Sequence, residues 1–190
     1  MKALYRYFSS ALAMAGLAPL AWASEAGSGP QVPAQLAVPG AHDAGMKLNA
    51  SGVQIYRCAP EPKVVSDYGS TFETPDHYVW TLVAPEATLT DGSGKVKGRH
   101  YAGPTWEASD GSKVLGKIVA KAAAPDGVSI PWLLMSTTVQ QLGGGFGKVA
   151  FVQRLNTNGG SAPASGCSRD AANAEVRVPY SAEYYFYSAN

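Results

Sequence analysis

Residues 87–120 read ATLTDGSGKVKGRHYAGPTWEASDGSKVLGKIVA and contain one turn motif twice. The strings DGSGKVKG, starting at Asp91, and DGSKVLGK, starting at Asp110, are near-copies of each other. An Asp-Gly pair between strand-like segments is a strong local signal for a β-hairpin. We therefore predict two successive hairpins of an antiparallel meander in this stretch.

The β pattern continues on both sides of these hairpins. Gly52–Cys58 (GVQIYRC) alternates in the manner of a strand, and GKVAFVQRLNT, residues 147–157, does the same. His77–Pro85 (HYVWTLVAP) has apolar residues at both its odd and its even positions, which predicts a central strand covered on both faces. The last residues, 175–190, are rich in tyrosine and predict a terminal pair of strands.

Three segments are less regular. Ser129–Gln140 could begin a helix at Pro131, but the run Thr137–Val139 favours a strand, which is our prediction. Residues 59–76 are rich in Pro, Ser, Thr and Asp and predict a long loop. Val32–Pro39 holds too many prolines for a helix and predicts extended chain.

Together these elements predict one all-β domain over residues 32–190. The expected architecture is a single antiparallel β-sandwich or small β-barrel of about 8–10 short strands, because many short strands with Gly/Pro-rich turns are typical of both. The sequence leaves the choice between sandwich and barrel open.

The N-terminus has the features of a cleavable signal peptide. Lys2 and Arg6 precede an apolar run, and Ala21-Trp22-Ala23 has the small-x-small form that signal peptidase cuts. The apolar run is too short to span a bilayer. We predict a signal peptide over residues 1–23, cleavage between Ala23 and Ser24, a flexible leader over residues 24–31, and a periplasmic or secreted mature chain without a membrane span.

Charge and cysteine content narrow the possible functions. The formal net charge is +1 at pH 7, without a basic run, which argues against a nucleic-acid partner. Cys58 and Cys167 are the two cysteines. In an exported chain an even number of cysteines points to a disulfide, and two cannot supply a four-ligand zinc site, so we predict a Cys58–Cys167 disulfide and no metal.

Candidate binding residues lie between Gly98 and Gly116, where glycine and proline fix the backbone around aromatic and acidic side chains. These candidates are His100, Tyr101, Trp106, Glu107 and Asp110. The same composition is also what a turn between two strands requires, and Asp110 is well explained as a turn residue. Aromatic side chains combine flat apolar area with a polar tip, which suits a binding surface as well as a core.

Motifs for cofactors and for common catalytic machinery are absent from the sequence. The glycines of 143–147 lack the spacing of a dinucleotide-binding loop, since position 148 is lysine, and the chain has no G-x-S-x-G motif. We therefore expect no cofactor. An enzyme using Glu107 and His100 as acid and base, a hydrolase or lyase, remains the alternative to a binding protein.

Several strings occur in one order along the chain: GVQIYRC, HYAGPTWEASDGS, SIPWLL, QRLNTNGGSAP and VPYSAEYYFY. Together they resemble a secreted bacterial and fungal family known as domain of unknown function 3455, over about Val32–Tyr187. The resemblance implies an exported domain with both cysteines at family positions. It implies no established activity and no catalytic residues. Our leading hypothesis is a non-enzymatic binding or envelope-associated module whose partner is a small molecule, a glycan or a protein.

Overall fold

The computed structural model describes residues 30–40, 44–61 and 77–188, which form a nearly all-β protein. Two single turns of 3-10 helix lie at Ala34–Leu36 and Arg169–Ala171. The eight strands are β1 Ala44–Pro60, β2 Tyr78–Thr90, β3 Val96–Tyr101, β4 Thr105–Ala108, β5 Lys113–Ala122, β6 Trp132–Gln141, β7 Val149–Gly159 and β8 Glu175–Ser188.

The eight strands form one closed barrel in which each strand pairs with its neighbours in the chain, and β8 pairs with β1 to close the sheet. All pairings are antiparallel. The closing pair is long and runs from Ala44 opposite Tyr187 to Arg57 opposite Glu175. Closure leaves the barrel with one inner and one outer face, and successive residues of a strand alternate between them.

The inner face forms the main core. The largest side chains that are almost fully buried there belong to aromatic residues of β4 and β8 and of the β6–β7 connection. They are Trp106, Phe146, Tyr184 and Phe186. Tyr184 and Phe186 are two residues apart on β8 and both point inward, as the alternation of a strand requires.

A smaller cluster lies outside the barrel, where the N-terminal segment covers β5, β6 and β7. Leu36 is fully buried there against Leu134 and Leu155. Its carbonyl oxygen accepts a 2.6 Å hydrogen bond from Nε2 of Gln153, and Oε1 of Gln153 accepts one from the Tyr187 hydroxyl. The short 3-10 turn therefore closes part of the outer face of the sheet.

The two ends of the barrel differ. One end is closed by the β6–β7 connection, whose Phe146 enters the barrel and stacks on Phe186 with ring centroids 4.6 Å apart. The other end carries the disulfide between Cys58 at the end of β1 and Cys167 in the β7–β8 connection, with the Cα atoms 5.3 Å apart. The predicted disulfide is confirmed.

The all-β architecture is confirmed, and the barrel is the correct one of the two alternatives. Both predicted Asp-Gly hairpins form, as β2–β3 and β4–β5, and Ser129–Gln140 contributes the strand β6. The predicted signal peptide, most of the leader and most of the predicted 59–76 loop lie outside the described residues.

Four details of the prediction are wrong. Residues 175–188 form one strand, not a pair, because β8 spans the full height of the barrel between β1 and β7. Val32–Pro39 is not wholly extended, since it contains the 3-10 turn. The strands are not all short, because β1 has 17 residues. His77–Pro85 is not covered on both faces, since Leu82 is 51% and Val83 44% exposed.

Candidate ligand-binding cavity

The wall of the barrel has a gap because β3 and β4 are short. β3 pairs with β2 only from Ala87 to Thr90, and β4 pairs with β5 only from Lys113 to Leu115. Beyond the tip of the β3–β4 hairpin, residues 78–86 of β2 and 117–122 of β5 continue with no described strand between them. We call this gap the lateral opening.

The lateral opening leads into a cavity of about 440 Å³ inside the barrel. Its rim is apolar. Leu82 and Val83 of β2 stand on one side and Ile118 of β5 on the other, each between 44% and 56% exposed. Exposed apolar residues gathered at the entrance of a concavity are typical of a ligand site, whereas single ones scattered over a surface are not.

The tip of the β3–β4 hairpin forms the lower edge of the opening. Gly103 has φ +118°, a conformation that favours glycine, and it is followed by Pro104. The Pro104 carbonyl accepts a hydrogen bond from the backbone N–H of Gly116, which ties the tip to β5. A side chain on Gly116 would lie 2.6 Å from Cζ3 of Trp106, so this glycine makes room for the indole.

Below the apolar rim the cavity wall is polar and aromatic. His100 of β3 and Trp106 of β4 are paired residues whose rings stack with centroids 4.5 Å apart. Tyr184 of β8 meets both rings edge-on, at 5.2 and 5.5 Å. Gln54 of β1 and Arg154 of β7 complete this inner group.

Several of these inner groups lack a hydrogen-bond partner among the described residues. They are both amide atoms of Gln54 and Nε1 of Trp106. The Tyr184 hydroxyl lies next to the Tyr180 hydroxyl and Arg154 but makes no hydrogen bond of good geometry with either. A buried polar atom without a partner costs about 1–3 kcal/mol, and native proteins hold few of them. These atoms lie just behind the wall of the cavity without exposure to solvent, so their hydrogen bonding is incomplete in this structure.

The protonation state of His100 follows from its surroundings. Its Nδ1 lies 2.8 Å from the carbonyl oxygen of Thr105, which can only accept, so Nδ1 carries the proton. Burial lowers the pKa of His100 to about 3, so the ring is neutral at ordinary pH. A neutral ring protonated on Nδ1 presents Nε2 as a hydrogen-bond acceptor and does not exchange a proton near neutrality.

Glu107 lies on the outer face, where it is held by three neighbours. Oε2 accepts hydrogen bonds from the Tyr101 hydroxyl at 2.6 Å and from Nη2 of Arg99 at 3.0 Å, and Nζ of Lys113 is 3.3 Å away. The Tyr101 bond, followed by the Arg99 bond, lowers the pKa of Glu107 to about 2. This carboxylate is a stable anion that links β3, β4 and β5.

Asp110 is a structural turn residue, as the sequence also allows. Its Oδ1 accepts hydrogen bonds from the backbone N–H and hydroxyl of Ser112, and its Oδ2 accepts one from the backbone N–H of Gly145. These bonds lower the pKa of Asp110. Because Gly145 precedes Phe146, the carboxylate also holds the connection that closes this end of the barrel.

The five predicted site residues therefore do not form one site, because they lie on different sides of the sheet. His100 and Trp106 face the cavity, whereas Tyr101 and Glu107 lie on the outer face and Asp110 lies in a turn at the closed end. An acid and base pair of His100 and Glu107 is not formed, because the two side chains point to opposite faces and neither pKa is near neutrality.

Sequence reasoning missed Gln54, Arg154 and Tyr184 as members of the inner group. Each lies in a strand of ordinary composition, and only the pairing of β1, β7 and β8 brings them together. The sequence held no signal for Gln54. Its position alternates with the apolar Val53 and Ile55, which suggests the outer face, yet Gln54 points inward and is 1% exposed.

A second concavity, a surface groove of about 610 Å³, lies between Tyr101, Asp110 and the 140–144 segment. It is larger than the barrel cavity and more open. The carboxylate of Asp110 in this groove is already occupied by hydrogen bonds within the protein, and the groove lacks the apolar rim of the more enclosed barrel cavity. The barrel cavity is therefore the stronger candidate site.

Among the described residues, no group of three or more His, Cys, Asp or Glu side chains could hold a metal ion. Within the same part of the chain, no helix is both long and apolar enough to cross a membrane.

The fold and site together define a single-sheet antiparallel barrel with an internal cavity open through its side. The chain matches the model of the family described as Protein of unknown function (DUF3455) over residues 39–188, and it belongs to that family. No curated protein matches the chain, and no solved structure does. The family carries no assigned activity, so function has to be argued from the cavity.

Proposed function

We propose that this protein is an exported, non-enzymatic binding protein that takes one small molecule into its barrel through the lateral opening. The observation that carries this proposal is a cavity with an apolar rim, directly behind whose wall Gln54 and Trp106 hold buried polar atoms without a partner. An eight-stranded barrel is just wide enough to hold one small ligand. Ligand sites commonly combine an apolar lining with a few convergent polar groups.

A binding role agrees better with the inner group than acid–base catalysis does. The aromatic pair His100–Trp106 offers a flat surface, and Gln54 and Tyr184 offer both donors and acceptors. The neutral His100 ring does not supply a proton near pH 7. Recognition of a glycan or protein by the outer face has weaker support, because Tyr101, Glu107 and Asp110 are already bonded within the protein.

Export is part of the proposal. The signal-peptide pattern of residues 1–23 supports it, and so does the Cys58–Cys167 disulfide, since such bonds persist in oxidising compartments. N-terminal sequencing of the protein recovered from the periplasm or medium is expected to begin at Ser24. A full-length chain retained in the cytoplasm would contradict this part of the proposal.

Binding in the barrel can be tested with a neutral apolar dye, phenylnaphthylamine, whose fluorescence rises in apolar sites. We expect saturable binding of one dye per chain. Leu82→Trp should block the lateral opening with a larger side chain at an exposed position, and it should weaken binding by about tenfold or more, which corresponds to about 1.4 kcal/mol. Leu142→Trp is the matched control, because Leu142 is 80% exposed in the connection at the closed end.

The comparison of the two variants distinguishes binding in the barrel from binding elsewhere. Dye binding that is lost in Leu82→Trp and kept in Leu142→Trp supports the barrel site. Absence of saturable binding by the wild-type protein, or equal binding by both variants, would contradict it. Melting temperatures of the two variants show whether each is folded.

A further inference from the structure

The charged residues that line the barrel cavity all have one sign. They are Lys121 of β5 and Arg154 of β7, and neither aspartate nor glutamate lines the cavity. His100, the other titratable group with basic character, is neutral. A cleft lined by one sign of charge with walls of low dielectric concentrates ligands of the opposite sign.

Arg154 lies on the wall opposite the lateral opening, paired with Leu133 of β6 and Tyr184 of β8. Its Nε and Nη2 donate to the carbonyl oxygen of Pro131 at 3.1 and 2.8 Å. These two bonds fix one edge of the guanidinium. The group has five N–H donors, and the Tyr184 hydroxyl also interacts with it, which leaves N–H groups for a further acceptor beside that hydroxyl.

No described carboxylate forms an ion pair with Arg154. The described carboxylates pair instead with other cations on the outer face. Examples are Glu183 with Lys47 and Glu86 with Arg177. Arg154 is partly buried, and a partly desolvated charge gains from pairing with an anion. The charge of Arg154 also acts on the hydroxyls of Tyr56 and Tyr184, where it lowers the pKa against the stronger raising effect of burial.

We infer that the ligand of the cavity is a small carboxylic acid with an apolar body, bound as the carboxylate by Arg154. This inference rests on the proposed binding function. The planar guanidinium matches the two oxygens of a carboxylate and can hold them with two parallel hydrogen bonds. The apolar body then lies against the rim formed by Leu82 and Ile118.

Tyr184 and Lys121 have separate roles in this arrangement. The Tyr184 hydroxyl lies beside Arg154 and supplies a further donor to the carboxylate. Lys121, exposed at the mouth, attracts the anion as it approaches, an effect that salt screens. Gln54 and Trp106 provide donors to other polar atoms of the ligand.

The test uses two matched pairs of compounds that differ in charge. Anilinonaphthalene sulfonate is phenylnaphthylamine with an added sulfonate, and naphthylacetate differs from naphthylacetamide in its carboxylate. Binding is measured by fluorescence of the compound itself or by its displacement of the neutral dye. We expect each anion to bind about tenfold or more tightly than its neutral counterpart, because hydrogen bonds to charged groups are stronger than those to neutral ones.

Two variants test the residues. Arg154→Gln should remove the preference for the anions, measured within this variant as the ratio of the dissociation constants of each neutral compound and its anion. Because this change also removes the bonds to Pro131, Lys121→Gln is the second variant, and it should reduce the preference and its salt dependence without a loss of melting temperature. Lys117→Gln, an exposed cation of β5 that does not line the cavity, is the control.

Failure of this inference is distinct from failure of the proposed function. If the neutral dye binds in the barrel and the anions bind no better, the inference is overturned and the binding function stands. If the anions are preferred equally by wild type and Arg154→Gln, with Lys121→Gln also unchanged, the charge of the cavity is not responsible and the inference is again overturned. If none of the four compounds binds, the binding function itself fails.

Discussion

His100 and Trp106 stack inside the barrel with ring centroids 4.5 Å apart and planes 10° from parallel. They face each other across the β3–β4 hairpin, while their chain neighbours Arg99 and Glu107 pair on the outer face. The hairpin thus supplies one aromatic wall to the cavity and one charged link to the surface. The two faces can be tested separately.

Replacement of Trp106 by alanine should mainly destabilise the fold. The side chain is fully buried against Tyr184 and Phe186, and loss of a core tryptophan typically costs about 3–5 kcal/mol. Chemical denaturation measures the free energy of unfolding. Trp106→Phe should cost less, because it keeps an aromatic ring and removes the unpaired Nε1. A Trp106→Ala variant within about 1 kcal/mol of wild type would contradict this account of the core.

The two Asp-Gly hairpins form where the sequence predicts them, which shows what local sequence can predict. Asp91 and Asp110 each accept hydrogen bonds from a serine two residues later, so the groups that form each turn are neighbours in the sequence. The inward or outward direction of His100 and Glu107 follows from strand parity once the hairpin is placed. Local signals therefore give the strands and turns.

The cavity could not be predicted in the same way, because its residues come from strands far apart in the chain. Gln54 and Arg154 line the same cavity only because β8 closes the sheet against β1 and β7. The lateral opening depends on how far β2 and β5 extend past the β3–β4 hairpin. That length is set by the strand register, which the sequence does not reveal. Leu82 and Ile118 have the sequence features of core residues and stand exposed at its rim.

Acid should destabilise the wild-type protein through His100. The pKa of this residue is lowered by burial from 6.5 to about 3 in the folded state, so the unfolded state binds the proton first as pH falls. Stability should therefore decrease from about pH 6.5 down to about pH 3, with a slope that approaches about 1.4 kcal/mol per pH unit for one proton. Urea denaturation at a series of pH values measures the slope. In His100→Gln this contribution should be missing; an identical slope in the variant would refute the buried neutral ring.

Glu107 should affect stability over a lower pH range. Its pKa is lowered from 4.5 to about 2 by the Tyr101 hydroxyl and by Arg99, so the ionised form stabilises the fold. This contribution is present above about pH 4.5 and is lost as pH falls through about 2. The stability difference between wild type and Glu107→Gln should therefore shrink across that range. Tyr101→Phe should shift the transition to higher pH, and a pH-independent difference would contradict the assignment.

The disulfide should contribute a large share of the stability. Cys58 and Cys167 are separated by 109 positions, and cross-linking a loop of this size restricts the unfolded chain by about 4–5 kcal/mol in the entropic model. Domains are typically stable by about 5–15 kcal/mol in total. Cys58→Ala and Cys167→Ala should therefore each lower the melting temperature by a similar amount.

The double variant decides whether that loss belongs to the bond or to the side chains. Cys58 is fully buried, whereas Cys167 is partly exposed, so loss of packing alone would make Cys58→Ala the more damaging change. If the bond dominates, the double variant should be no less stable than either single one, because the interaction is already broken. Reduction of the wild-type protein should give nearly the same melting temperature as the double variant. The remaining difference reflects the packing of the two sulfur atoms that the variant lacks. Additive losses in the double variant, or two reactive thiols in the native protein, would show that the bond does not stabilise the barrel.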